Sequence, residues 1–124
     1  MPRVMVVEDS AAMRGMIASI LGQIEGTEVI EVGSGFEALK RLPRETVDLI
    51  VMDINMPDIN GLELLSFVRK SPVYGETPVL IVTTEGGEED RRRGMALGAN
   101  AYLAKPFEPS ELLSTARQLL SDQA

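Results

Sequence analysis

Short runs of consecutive apolar residues alternate along the chain with segments in which apolar residues recur every three or four positions. The apolar runs are at residues 4–7, 49–52, 79–82 and 101–104, and a fifth, more polar β-type segment is at 28–32. Runs of this length are typical of strands, and the segments between them have helical spacing. The alternation predicts five strand–helix units, which form a parallel sheet with helices on both faces.

The helical segments show their periodicity most clearly near the two ends of the chain. In the first of them, one predicted helical face carries Met13, Met16, Ile17, Ile20, Leu21 and Ile24. Serines precede two of the segments, and serine is a favoured N-cap residue because its hydroxyl accepts a backbone N–H. We therefore expect Ser34 and Ser110 to cap the second and the last helix.

How apolar each run is separates the central strands of the sheet from its edge strands. The runs ending at Val7, Met52 and Val82 are apolar throughout, as strands buried on both faces should be. The segment at 28–32 carries two glutamates and the run at 101–104 is weakly apolar, so both are predicted to be edges. This indicates the order 2-1-3-4-5, a doubly wound α/β sheet of the flavodoxin-like (βα)5, three-layer type.

Polar residues directly follow four of the five predicted strands. Glu8 and Asp9 follow the first, Asp53 follows the third, Thr83 follows the apolar part of the fourth and Lys105 follows the fifth. Because parallel strands end at the same edge of a sheet, we expect these five side chains to meet where open α/β sheets bind their ligands.

This set of side chains suits a divalent cation beside a phosphorylatable aspartate. Three carboxylates that converge without a counter-charge raise one another's pKa, and a hard cation such as Mg²⁺ relieves the conflict. Lys105 offers a positive charge and Thr83 a hydroxyl donor to phosphate oxygens. Taken singly, each acid is more typical of a solvated helix N-terminus and Lys105 of a surface turn, whereas Thr83 is as typical of a strand end as of a binding site.

Composition narrows the classes of function. The chain of 124 residues has a formal net charge of −7 and contains neither cysteine nor histidine, which excludes disulfides, thiolate metal sites and a histidine base. No apolar run approaches the ~20 residues of a membrane span, and we expect a cytoplasmic protein without membrane insertion. Arg91–Arg93 directly follow three acidic residues, so we expect these charges to pair on a helix and nucleic-acid binding to be absent.

The motifs at these strand ends resemble those of the receiver domain of two-component response regulators, most closely the single-domain, CheY-like chemotaxis type. The resemblance covers residues 3–121, and on it residues 1–124 are expected to form one receiver domain. It rests on four segments, namely Val6-Val7-Glu8-Asp9-Ser10, Met52-Asp53-Ile54-Asn55-Met56-Pro57, Val82-Thr83-Thr84-Glu85 and Lys105-Pro106-Phe107.

The resemblance implies a role for each residue of the site. Asp53 would accept the phosphoryl group and, with Asp9, bind Mg²⁺ or Mn²⁺ through its side chain. Asn55 would bind the ion through its backbone carbonyl and Glu8 through a water molecule. Lys105 would hold the phosphoryl group.

The resemblance also implies a switch and a phosphoryl lifetime. Thr83 would hydrogen-bond the phosphoryl group, and Tyr102 would change rotamer as Thr83 moves. The Lys105–Pro106 bond would be cis. Asn55, Thr84 and Glu85 would tune the lifetime, and Thr84 is bulkier than the residue usual at its position, so it should slow loss of phosphate.

The expected function is a phosphorylation-dependent switch with a histidine kinase as donor. Expected partners are a phosphatase and a downstream target, such as the flagellar motor switch, which would contact the surface formed by residues 86–97, 101–104 and 108–121 of a monomer. The protein would catalyse only its own phosphorylation and dephosphorylation. The alternatives are a metal-dependent phosphohydrolase of the dehalogenase type, a flavodoxin-like electron carrier, and a receiver excised from a longer hybrid protein.

Overall fold

The structure, a computed structural model, describes residues 2–84 and 87–122 and consists of alternating strands and helices. The strands are β1 (Arg3–Val7), β2 (Glu28–Val32), β3 (Leu49–Met52), β4 (Val79–Thr83) and β5 (Ala101–Ala104). The helices are α1 (Ala11–Leu21), α2 (Gly35–Arg41), α3 (Gly61–Lys70), α4 (Glu88–Ala96) and α5 (Pro109–Ser121), with a 3₁₀ turn at Leu42–Arg44. Within the described residues, no helix is long and apolar enough to cross a bilayer.

All five strands lie in one parallel sheet of order β2-β1-β3-β4-β5, which confirms the predicted fold and both predicted edges. The register places Val7 opposite both Val32 and Met52, so the carboxyl ends of β2, β1 and β3 are level. Thr83 lies opposite Ala104 in the same way. The residues that follow these strands therefore emerge along one edge of the sheet.

Alternation along each strand divides the core into two layers, because successive side chains point to opposite faces. Met5 and Val7 of β1 pack on the side of α2 and α3, whereas Val4 and Val6 pack on the side of α1 and α5. The central strands β1, β3 and β4 are buried on both faces, as their apolar sequences predict.

Two local expectations about helices are wrong. Ser110 does not cap α5. The N-cap residue is Glu108, which forms a capping box with Glu111. Pro109 takes the first helical position, because the amide N–H that proline lacks has no partner within the helix there. The apolar face expected for α1 is shorter than predicted, since Met16 is exposed and the helix ends at Leu21. Ser34 does cap α2, where its hydroxyl accepts from the backbone of Glu37.

Candidate functional site

The backbone at the carboxyl ends of β1 and β3 continues the sheet by one residue. The Glu8 amide donates to Val32 O at 3.2 Å, and the Asp53 amide donates to Val7 O at 3.2 Å. These bonds fix where both acidic residues leave the sheet. The buried strand residues that precede them leave no freedom for the chain to shift, so the two carboxylates are carried to one place by the core packing.

Three carboxylates meet at this edge of the sheet. Glu8, Asp9 and Asp53 each offer one oxygen, and these oxygens lie within 4.8 Å of one another. Glu8 is 2% and Asp53 6% exposed, whereas Asp9 is exposed to solvent. The cluster is therefore closed on the protein side and open on one side, where a ligand can enter.

The ammonium of Lys105 bridges the two buried acids. Its Nζ donates to Glu8 Oε1 at 2.7 Å and to Asp53 Oδ2 at 2.9 Å, and its side chain is only 8% exposed. The Lys105 amide donates to Thr83 O at 2.8 Å, and the following peptide bond to Pro106 is cis. Three carboxylates against one ammonium leave the cluster with an excess of negative charge.

The two buried acids have opposite pKa shifts. Burial is the main influence on Glu8 and raises its pKa, although hydrogen bonds from Lys105 and the Ser10 amide oppose that effect. Burial also acts to raise the pKa of Asp53, but bonds from Lys105, the Thr83 hydroxyl and the Asn55 amide outweigh it and lower the pKa. Asp53 is therefore a carboxylate at neutral pH, which is the form able to act as a nucleophile.

The pKa of Lys105 is raised by its two acidic partners. Burial acts to lower it, but the hydrogen bonds and charges of Glu8 and Asp53 outweigh burial and raise the pKa of Lys105. The ammonium therefore stays charged, and it can be redirected to an incoming anion without first gaining a proton.

Thr83 is buried directly beside the acidic cluster, and its hydroxyl donates to the Asp53 carboxylate. The next residue, Thr84, is exposed to solvent. Tyr102 of β5 is half-buried and packs against the core layer of α2 and α3. The expectations for Glu85 lie outside the described residues.

The site also depends on the loop between β3 and α3. The Asn55 amide donates to Asp53 Oδ1 at 3.1 Å, while its side chain is exposed. A Cβ added at Gly61 would lie 2.1 Å from Asp53 O and 2.8 Å from Ile54 Cα, so only glycine allows α3 to begin so close to the aspartate. This makes Gly61 part of the support of the site and more than a turn residue.

One residue of the site was not found from the sequence. Arg14, in the first turn of α1, donates from Nη1 to Glu8 O at 2.8 Å. It follows Asp9 by five positions and belongs to no motif that predicts a contact with the preceding loop. Only its position in the first helical turn, from which long side chains point back toward the N-terminus, offers a signal.

The donor set fits a hard divalent cation. All the candidate ligand atoms are oxygens, one acid is exposed for direct coordination, and the excess negative charge favours a bound cation. The expected ligands Asp9, Asp53 and the Asn55 backbone all lie at this end of the sheet.

Comparison with known proteins identifies relatives over nearly the whole chain. A family model described as the response regulator receiver domain matches residues 4–117. A chemotaxis protein CheY homolog of Campylobacter jejuni is 39% identical over 111 residues, 89% of this chain and 85% of the relative. Chemotaxis protein CheY1 of Helicobacter pylori is 35% identical over 111 residues, 89% of this chain and 90% of the relative. The solved structure of chemotaxis response regulator CheY4 of Vibrio cholerae is 39% identical, with a TM-score of 0.88 and coverage of 97% and 99%.

Proposed function

We propose that this chain, which belongs to the response regulator receiver domain family, is a switch that accepts a phosphoryl group on Asp53 and thereby changes its affinity for a protein partner. Residues 1–124 then act as one receiver domain of CheY type, a signalling protein and not a turnover enzyme. The observation that carries the proposal is a buried Asp53 that lies beside two further acids and accepts hydrogen bonds from Lys105 and Thr83.

The proposed reaction forms a bond between an Asp53 carboxylate oxygen and phosphorus and breaks the bond from phosphorus to the nitrogen of a phosphohistidine donor. Asp9 and Asp53 would hold Mg²⁺ by their side chains, Asn55 by its carbonyl and Glu8 through water, and Mn²⁺ fits the same oxygen donors. The ion supplies charge neutralisation for the transferred phosphoryl group. The Lys105 ammonium moves one of its donors from Asp53 to a phosphoryl oxygen.

The switch follows from the change in charge at Asp53. Phosphorylation adds about −1.5 to −2 charge and three acceptor oxygens. The Thr83 hydroxyl, which bonds the Asp53 carboxylate in this structure, would move to one of these oxygens. Two or three charge-assisted bonds of ~1.5–3 kcal/mol each can supply the roughly 5.5 kcal/mol that takes a state from 1:99 to 99:1.

The proposed readout is the surface of α4, β5 and α5, with Tyr102 as the aromatic that follows Thr83. A histidine kinase would donate the phosphoryl group, a phosphatase would shorten its lifetime, and a downstream protein, such as a flagellar motor switch component, would bind the phosphorylated form. Similarity to chemotaxis regulators supports these partners and a cytoplasmic location. Asn55, Thr84 and Glu85 would set the phosphoryl lifetime.

Phosphorylation of Asp53 is tested by intact-mass measurement after incubation with acetyl phosphate and Mg²⁺. We expect one phosphoryl group on the wild type and none on Asp53→Asn, because the amide is not a nucleophile. Asp48→Asn is a matched control, since Asp48 accepts from the Arg3 amide at the opposite edge of the sheet. Equal incorporation in wild type and Asp53→Asn, or full incorporation in EDTA, contradicts the proposal. Repeated turnover of a simple phosphomonoester would favour the phosphohydrolase alternative.

A further inference from the structure

We infer that Arg14 is a positioning residue for the cation site, because its guanidinium fixes the peptide that carries Asp9 into the acidic cluster. The inference rests on the proposed function, since it needs Mg²⁺ to bind at Glu8, Asp9 and Asp53.

The guanidinium of Arg14 links the loop after β1 to strand β2. Its Nη1 donates to Glu8 O at 2.8 Å, and its Nε lies 3.6 Å from Glu31 Oε1 of β2. The side chain is 23% exposed, so most of it is packed against the loops of the site. A planar group that donates a hydrogen bond in one direction and forms an ion pair in another is a property of arginine that lysine lacks.

Gly33, in the connection from β2 to α2, leaves room for this guanidinium. A Cβ at Gly33 would lie 3.3 Å from Arg14 Nη1, which is tighter than most contacts of that kind, and at an ordinary 3.9 Å from its Cζ. The Gly33 amide is itself held by Glu37 Oε1 at 3.0 Å. The pocket around the guanidinium is therefore defined on several sides.

Asp9 depends on this contact more than the other two acids do. Glu8 and Asp53 are held by hydrogen bonds to their own carboxylates. Within residues 2–84 and 87–122, Asp9 makes no hydrogen bond or ion pair, so its backbone alone sets where its carboxylate lies. The Glu8 carbonyl belongs to the same rigid, planar peptide unit as the Asp9 nitrogen. A bond to that carbonyl therefore orients Asp9.

Positioning and simple electrostatics predict opposite signs for the loss of Arg14. A positive charge near a cation site opposes binding of the cation, so its removal alone should tighten binding of Mg²⁺. Loss of a positioning contact should weaken binding of Mg²⁺, and residues that hold metal ligands in place commonly contribute about 10-fold or more to metal affinity.

The test is calorimetric titration of Mg²⁺ alone into the wild type, Arg14→Met and the control Arg44→Met. Arg44 is exposed in the 3₁₀ turn before β3, and its substitution changes the net charge equally. We expect Arg14→Met to bind Mg²⁺ about 10-fold more weakly than the wild type, and Arg44→Met to bind as tightly or slightly more tightly. Arg14→Met that binds as well as Arg44→Met overturns the inference.

Circular dichroism in EDTA checks that Arg14→Met is folded, and Arg14→Lys provides a second variant that tests the inference if Arg14→Met does not fold. Lysine keeps the charge but has one nitrogen, so we expect its Mg²⁺ affinity to fall between those of the wild type and Arg14→Met. A lysine variant with wild-type affinity also overturns the inference. A wild type that binds no Mg²⁺ contradicts the proposed function itself, whereas failure of this ranking alone leaves Asp53 as the proposed phosphoacceptor.

Discussion

The helices α3 and α4 lie on the same face of the sheet but are held in very different ways. Helix α3 begins with a capping box between Asn60 and Glu63 and buries half of its ten residues. Helix α4, whose nine residues are all described, buries Gly94 alone and begins after Gly87, which has no side chain to cap it. Tertiary packing of an apolar face gives a helix most of its stability, and α4 has almost none of it.

The contacts at the ends of the two helices add to the difference. At the end of α3, Arg69 donates five hydrogen bonds, to Gly98 O (3.0 and 2.7 Å), Gly75 O (3.1 Å), Thr77 O (2.6 Å) and Asn100 Oδ1 (2.9 Å). The Gly98 bonds also tie the loop after α4, so this end of α4 is anchored.

The first half of α4 is held by charge pairs on its own surface. Its three ion pairs join residues three apart within the helix, and they move with it. A cleft of about 390 Å³ separates this half from the start of α3 and is lined by Ile54, Asn55, Asn60, Leu62, Glu63, Asp90 and Arg93. The first half of α4 therefore has fewer contacts than α3 to oppose a shift, as the proposed switch requires.

The largest effect on stability is expected for the anchor at the end of α3. Arg69→Met leaves three half-buried carbonyl oxygens, those of Gly75, Thr77 and Gly98, without this donor, so we expect the free energy of unfolding to fall by about 3 kcal/mol. Urea unfolding followed by circular dichroism measures it, because the chain has no tryptophan. Lys70→Met, an exposed neighbour, is the control and should change stability by less than about 0.5 kcal/mol. If Arg69→Met and Lys70→Met changed the free energy of unfolding equally, Arg69 would not be the residue that holds α3 more firmly than α4.

A smaller effect is expected where the loop before α3 is tied to α2. Asp58 accepts from the Gly35 amide at 3.3 Å and from the Phe36 amide at 2.9 Å. Burial acts to raise its pKa, but these backbone bonds outweigh burial and lower the pKa of Asp58. Asp58→Asn keeps only one acceptor oxygen, so we expect it to lower the free energy of unfolding by about 1 kcal/mol at pH 7.

The cost of Asp58→Asn should depend on pH in a defined direction. Because the folded-state pKa is lowered, the carboxylate stabilises the fold above the unfolded pKa of about 3.9, and this contribution is lost as pH falls through the folded pKa. The difference between wild type and variant should therefore shrink from pH 7 toward pH 3, as measured by urea unfolding. A difference that is constant with pH would exclude the carboxylate as its cause.

The smallest effect is expected on α4. Arg92 and Glu89 form a 2.6 Å ion pair with both side chains about 70% exposed (69% and 70%). Exposed pairs of this kind contribute little, so Arg92→Gln should lower stability by less than about 0.5 kcal/mol in the same unfolding assay. A loss above about 1 kcal/mol would mean that charge pairs hold α4 firmly, and the comparison with α3 would fail.

The sequence was sufficient for the fold and for the residues at the strand ends. Apolar runs identify buried parallel strands, and a residue that directly follows such a strand, like Asp53, has its position fixed by the register. The paired charges of α4 were also predictable, because they depend only on spacing within one helix.

Contacts made by long side chains across loops could not be predicted. Arg14 and Arg69 bind backbone carbonyls of other segments, and nothing in the sequence marks a carbonyl as an acceptor. The same is true of Asp58, which accepts from backbone amides at the start of α2, a helix that precedes it in the chain. Ser110 was misplaced as a cap because serine, Glu108 and Pro109 offer competing signals within three residues, and proline decided where the helix begins.

The most direct test of the account compares backbone amide NMR signals with and without beryllofluoride and Mg²⁺, which together mimic a phosphoryl group on Asp53. We expect large shifts for Thr83, for α4 and for residues 102–107, and small shifts for α3 beyond its first turn and for α1 near Ile17. The same addition to Asp53→Asn should leave all of these signals unchanged. Shifts confined to the residues around the acidic cluster, or equally large in α3 and α4, would contradict the claim that α4 transmits the change at Asp53.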